Sequence, residues 1–248
     1  LKNYSLDLAY VHDVGFGGFA KSAAPGLLAI LRACGVTTGR VVDLACGSGI
    51  WARALAGAGY DAWGVDLSAS MIAIARRKAP RARFERRSLF TFEFPRCHAV
   101  TCIGEGLNYL FDRRNVARER VRLFSRIHDA LHPGSVFIFD VAELGRVGQV
   151  RGAGSRKAHW HGRDFCILTD VEEDPARELL TRKITTFRRV GRLYRRSFET
   201  HRLRLYRASA LARELRETGF TVRFLRAYGV APLLPGRVGF LARKRARP

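Results

Sequence analysis

From Arg40 to Asp140 the chain alternates short, nearly continuous apolar runs with longer stretches of helical period. The runs Arg40 to Leu44, Asp61 to Val65, Ala82 to Arg86, Ala99 to Ile103 and Ser135 to Asp140 predict strands buried on both faces. Between them the spacing predicts helices from about Gly49 to Ala58, from Ser68 to just before Pro80, and from Asp112 to Leu131. Ser68 can cap its helix with a side-chain oxygen, and Pro80 cannot continue it. Upstream, Leu1 to Ala33 reads as a helical entry, with Leu27, Leu28, Ile30 and Leu31 at helical spacing and Gly35 as the stop. Strands separated by helices argue for a parallel sheet covered on both sides.

Past Asp140 the period changes to two. Asp164 to Asp174, Glu178 to Val190 and Leu193 to Tyr206 each alternate apolar with polar, and predict an antiparallel meander of three strands. His159 and His161 flank Trp160 just before it. No carboxylate or thiol sits at ligand spacing, so the segment reads as a polar loop and no metal is expected. Ser209 is placed to cap a helix from Ala210 to Thr218, which Gly219 stops. Strands Thr221 to Tyr228 and Val238 to Arg243 close the chain.

The richest chemistry lies in VVDLACGSGIWARAL, Val41 to Leu55, and in GVDLSASMIAIAR, Gly64 to Arg76. A strand, a turn on Gly47 and Gly49, a helix and a second strand ending in Asp66 make half of a nucleotide-binding α/β unit. Glycines allow close backbone approach to a ligand. An ionised Asp66 only accepts hydrogen bonds, which suits two vicinal ribose hydroxyls. Asp43, just before the turn, suits a cationic or ammonium-bearing ligand better than a pyrophosphate.

Asp43, Ala45, Cys46, Gly47, Ser48 and Gly49 resemble the D-x-G-x-G-x-G motif of class I S-adenosylmethionine-dependent methyltransferases, with Ala45 where the family usually has its first glycine. Asp66, Ser68, Met71 and Ile72 resemble the family's D-x-S-x-x-M-I pattern. The resemblance implies an α/β, Rossmann-like, seven-stranded sheet that ends in an antiparallel edge hairpin. It implies one domain over 1–248: a helical lid at 1–36, a core at 38–145 and 209–248, and an inserted three-stranded antiparallel cover at 155–208. It further implies S-adenosylmethionine as cofactor, with S-adenosylhomocysteine as product. The contacts it implies are Asp43, Ala45, Gly47, Gly49, Asp66, Leu67 and Met71, with Ser88 and Leu89 beside the adenine and Gly104 in the loop after strand four. In that loop Glu105 could face the cofactor's ammonium, act as a base, or only cap the next segment. Tyr10, in a segment resembling the family's entry helix, would close the methionine end. Glu143 would border the acceptor pocket, and His201, on the cover, would be a catalytic residue alongside Glu105 and Tyr10 or a structural strand histidine.

Composition changes this picture little. The apolar fraction of 47% supports a full core, and no apolar run reaches transmembrane length. No signal peptide is visible, and the five cysteines lack C-x-x-C spacing, so a cytoplasmic protein with reduced thiols is expected. Net charge is +22, but only six of the 44 basic residues are lysine, and the arginines are scattered, as compositional bias would leave them. The expected partner is a small-molecule acceptor, methylated on nitrogen or oxygen. Nucleic acid is expected to bind only non-specifically, no membrane partner is expected, and a homodimer is compatible with the sequence. One rival is a nucleic-acid methyltransferase, against which stands the lack of N-P-P-Y, D-P-P-Y or Pro-Cys signatures. The other is a non-catalytic S-adenosylmethionine binder.

Overall fold

The computed structural model describes residues 3–145 and 155–245. Its elements, in order, are α1 (Leu6–Gly15), α2 (Gly18–Ala33), β1 (Arg40–Leu44), α3 (Ile50–Gly57), β2 (Asp61–Asp66), α4 (Ala69–Lys78), β3 (Arg83–Arg86), β4 (Cys97–Cys102), α5 (Ala117–Ala130) and β5 (Leu131–Ala142). There follow β6 (Ser155–His161), β7 (Phe165–Asp174), β8 (Leu179–Val190), β9 (Leu193–Arg204), α6 (Ala208–Glu217), β10 (Phe220–Leu225), β11 (Ala227–Tyr228), β12 (Ala231–Pro232) and β13 (Arg237–Lys244).

The central sheet has seven strands in the order β10-β13-β5-β4-β1-β2-β3, and only β13 runs against its neighbours. This is the α/β, Rossmann-like arrangement that the sequence predicts, with the reversed hairpin at its edge. Side chains alternate across β5. Phe137 and Phe139 join Phe124, Leu215 and Phe240 in the core on one face. Val136 and Ile138 join Leu31, Trp51, Leu55 and Tyr228 on the other. α2 lies on β11 so closely that a Cβ on Gly26 would fall 2.0 Å from the Tyr228 carbonyl oxygen. No single described helix is long and apolar enough to cross a membrane.

A second sheet, β6-β7-β8-β9, covers the site end of the core. It has four strands where three are predicted. The added strand is β6, which contains His159, Trp160 and His161 and is therefore no loop. It pairs with β7 over its whole length, so Ala158 and Trp160 face inward. Isolated bridges Tyr109↔Leu203 and Glu143↔Tyr206 tie the cover to the core. α1 closes over it: Leu8 and Val11 pack on Phe165, Ile167 and Ile184. Asp7 pairs with Arg188 and Arg195 of the cover.

Two helix boundaries depart from expectation. Residues 112–116 form a turn rather than the start of α5, because the Asp112 carboxylate accepts the Arg114 N–H and engages Ser88. α6 begins at Ala208 behind Arg207, so Ser209 lies inside the helix and caps nothing. Ser68 does cap α4, accepting the Met71 N–H at 3.2 Å.

Candidate active site

β1 delivers the chain into a turn where Ala45, Gly47 and Gly49 hold φ of 51°, 53° and 78°. This is the left-handed region, which a non-glycine residue such as Ala45 occupies at a cost on the order of 1 kcal/mol. The methyl group of Ala45 is accommodated by a glycine opposite. A Cβ on Gly106 would sit 2.6 Å from the Ala45 Cβ and 2.8 Å from the Cys102 Sγ.

Asp66, at the end of the neighbouring strand, holds the turn. Its Oδ2 accepts the Gly47 N–H at 2.9 Å, and its Oδ1 accepts the Ser68 N–H at 2.8 Å. Burial raises its pKa and these N–H bonds oppose the rise. Asp43 lies one strand deeper and is 2% exposed. Its Oδ1 accepts from the Thr101 hydroxyl, which in turn accepts from the Trp51 indole N–H. Burial pushes the Asp43 carboxyl up to about 7.

The loop after β4 is fastened by Asp140. Its carboxylate accepts the N–H groups of Gly104 and Glu105 at 2.8 and 3.0 Å, and the Tyr228 hydroxyl at 3.0 Å. This holds Glu105 at a left-handed φ of 61°. The Glu105 side chain is engaged by Arg182 of β8 at 3.3 Å and by Arg237 of β13 at 3.2 Å. Arg237 also approaches Asp140 at 3.6 Å. Sheet, hairpin and cover therefore meet in one charge cluster.

These elements surround a cavity of about 640 Å³. Of the sequence-predicted residues, Asp43, Ala45, Gly47, Asp66, Leu67 and Met71 line it, as do Ser88, Leu89, Gly104 and Glu105. Gly49 does not; it is packed against α4, where a Cβ would lie 2.9 Å from the Ala75 Cβ. Tyr10 does not line it either. Its hydroxyl donates to Asp164 at 2.7 Å and its ring lies under the Arg188 guanidinium at 3.8 Å, on the outer side of the lid. His201 is fully buried behind the wall, 2.9 Å from Glu199, whose carboxylate accepts the backbone N–H groups of Tyr4 and Ser5. It supports the N-terminal strap and does not reach the cavity. Glu143 is likewise absent from the lining.

The residues that α1 and its entry present are Tyr4, Leu8, His12 and Phe16. Steps of four keep a helical face, whereas Tyr10 lies about 200° round from His12. That spacing was the available signal. The Tyr4 hydroxyl bonds the Tyr109 hydroxyl at 2.8 Å, and Arg182 donates to Tyr109 at 3.2 Å. Burial drives the Tyr4 phenol well above its ordinary range and His12 down to about 4, so His12 is neutral at pH 7. Tyr109, Arg182 and Arg237 carry no local motif; only the fold gathers them. Among the described residues no group of three His, Cys, Asp or Glu side chains is arranged to hold a metal.

Residues 41–134 match the family described as Methyltransferase domain. The dTDP-3-amino-3,6-dideoxy-alpha-D-glucopyranose N,N-dimethyltransferase of Streptomyces fradiae is 33% identical over 112 residues, 44% of each chain. The chain matches only 42–46% of the length of the curated relatives. Solved structures match over nearly everything. An S-adenosylmethionine-dependent methyltransferase from Clostridium acetobutylicum ATCC 824 superposes with a TM-score of 0.82 at 21% identity, covering 98% of this chain and 100% of the other. The sugar N-methyltransferase KedS8 from Streptoalloteichus sp ATCC 53650 gives 0.75 at 21%, covering 99% and 97%. Residues 41–134 thus match the methyltransferase-domain family, and the chain as a whole has the fold of solved S-adenosylmethionine-dependent methyltransferases.

Proposed function

We propose that the protein is an enzyme that transfers a methyl group from S-adenosylmethionine to a nitrogen or oxygen of a small-molecule acceptor. The observation that carries this is one roofed cavity, running from the Asp66 turn to the inner face of the cover, where Ile167, Leu180 and Ile184 are exposed to it. The residues present fit the cofactor. Asp66 keeps lone pairs free for ribose hydroxyls, Asp43 offers negative charge to a cation, and Met71 and Leu89 give apolar surface. When bound, S-adenosylmethionine supplies a methyl group on a good leaving group, so the protein's task is mainly to hold the acceptor in line and to exclude water. Tyr4 and Tyr109 orient the acceptor, and α1 and the cover exclude solvent. The relatives named as N-methyltransferases favour nitrogen. The test is S-adenosylhomocysteine release on a panel of amines and alcohols. Turnover confined to RNA or DNA would replace this reading with the nucleic-acid rival. Cofactor binding without turnover on any acceptor would leave a binder.

Two further outcomes follow. Asp43 ionises only as pH rises through about 7, and a cationic ligand binds its ionised form. Cofactor affinity should therefore weaken as pH falls from 8 to 6, by up to about tenfold, which calorimetry across that range will measure. Tyr10→Phe removes one hydrogen bond outside the cavity and should leave turnover within about twofold, with a stability loss near 1 kcal/mol. Tyr4→Phe breaks the hydroxyl pair inside the cavity and should lower kcat/KM by about tenfold. Equal effects of the two variants would refute the placement of the lid.

A further inference from the structure

The hairpin between β8 and β9 projects from the cover as RRVGRLYRR, Arg188 to Arg196. Gly191 and Arg192 make its two-residue turn. Its tip carries large apolar side chains in water: Val190 is 48% exposed, Leu193 77% and Tyr194 59%. Val190 pairs with Leu193, so both lie on one face of the ribbon. Tyr194 pairs with Arg189 one step back, on the opposite face. A flat protein partner could bury one of these faces. A medium that the ribbon enters tip-first buries both.

Charge completes the pattern. Arg188 and Arg195 are committed to Asp7. Arg189, Arg192 and Arg196 form no ion pair in the described structure, and they stand at or just behind the apolar tip. Long guanidinium side chains at that depth reach anionic headgroups while their stems lie against apolar surface. Arg189 also borders a second cleft, between α1 and the cover, whose other walls include Val14, Phe16, Trp160 and Phe165. Phe16 and Trp160 line the main cavity too. Their rings meet edge to face at 5.5 Å between the two spaces. The projecting hairpin thus lies beside a cleft that the Phe16–Trp160 pair separates from the main cavity.

We propose that the Val190–Tyr194 hairpin tip is a peripheral docking element for an anionic lipid surface, with the apolar tip entering the headgroup boundary and Arg189, Arg192 and Arg196 meeting lipid phosphates. This needs no spanning helix, and it is independent of which acceptor the enzyme methylates.

A protein of net charge +22 will adhere to acidic vesicles through its whole surface, so the experiment must leave charge untouched. Co-sedimentation with phosphatidylcholine vesicles holding 30% phosphatidylserine, at roughly physiological salt, is compared for the native chain and for the V190S/L193S/Y194S variant. The expected result is a drop in partition of about tenfold or more, with S-adenosylhomocysteine binding unchanged, since none of the three substituted residues lines the cavity. Equal partition of the two proteins means diffuse electrostatics and overturns the proposal. So does absence of vesicle binding by both, or a dimer that the variant converts to monomer without change in partition. Binding of single-stranded RNA that the variant loses while vesicle partition stays unchanged would assign the tip to nucleic acid instead.

Discussion

Replacing Asp66 by alanine should weaken S-adenosylhomocysteine binding by about 30- to 150-fold, or roughly 2–3 kcal/mol. Two effects add. The variant loses the carboxylate lone pairs that face the cavity and would accept charge-assisted bonds from a ribose. It also leaves the N–H groups of Gly47 and Ser68 without their acceptor, so the turn that approaches the ligand loosens at its glycine and at the cap of α4. Asp66→Asn should be nearly as harmful. One oxygen remains, but the amide NH2 must then face one of two N–H donors. Calorimetry well below the melting temperature measures this with the protein folded. An unchanged Kd would mean that Asp66 only braces the turn, and the cofactor placement would have to be redrawn.

Glu105→Gln should cost about 3 kcal/mol of stability and lower Tm by several degrees. Glu105 is 3% exposed at its side chain and stands between Arg182 and Arg237, at 19% and 9%. Removing its charge leaves two sheltered guanidiniums close together, with the Asp140 carboxylate still beside Arg237. The double variant E105Q/R182M should recover part of the loss, because it removes one of the opposed cations. Thermal denaturation reads both. If Glu105 were instead a general base, Glu105→Gln would abolish turnover while leaving Tm where it was, and the second substitution would rescue nothing.

The parallel core was legible because its signals are local. β1 coincides with the predicted run Arg40 to Leu44, since a strand buried on both faces reads as a nearly continuous apolar run, here broken by Asp43. The turn on Gly47 and Gly49 and the terminal Asp66 were legible for a similar reason, since left-handed backbone and a strand-end carboxylate each demand a residue type at a set position. Asp43, Ala45, Asp66, Leu67 and Met71, which the family resemblance implied as contacts, all line the cavity.

What the sequence could not decide was orientation and distance. Tyr10 and His12 are two residues apart, and only the docking of α1 on Phe165, Ile167 and Ile184 determines which of them looks inward. β6 hid its alternation because its inner face carries Arg156 and the small Ala158 beside Trp160, so its pairing with β7 defined it where its apolar content did not. The end of the cavity under the cover is lined by Tyr4, Tyr109, Arg182 and Arg237, drawn from four segments far apart in the chain. Composition and period are properties of neighbours in sequence, whereas a pocket wall is a property of neighbours in space, and the strand pairing and lid docking that bring these side chains together leave no local pattern in any one of the four segments.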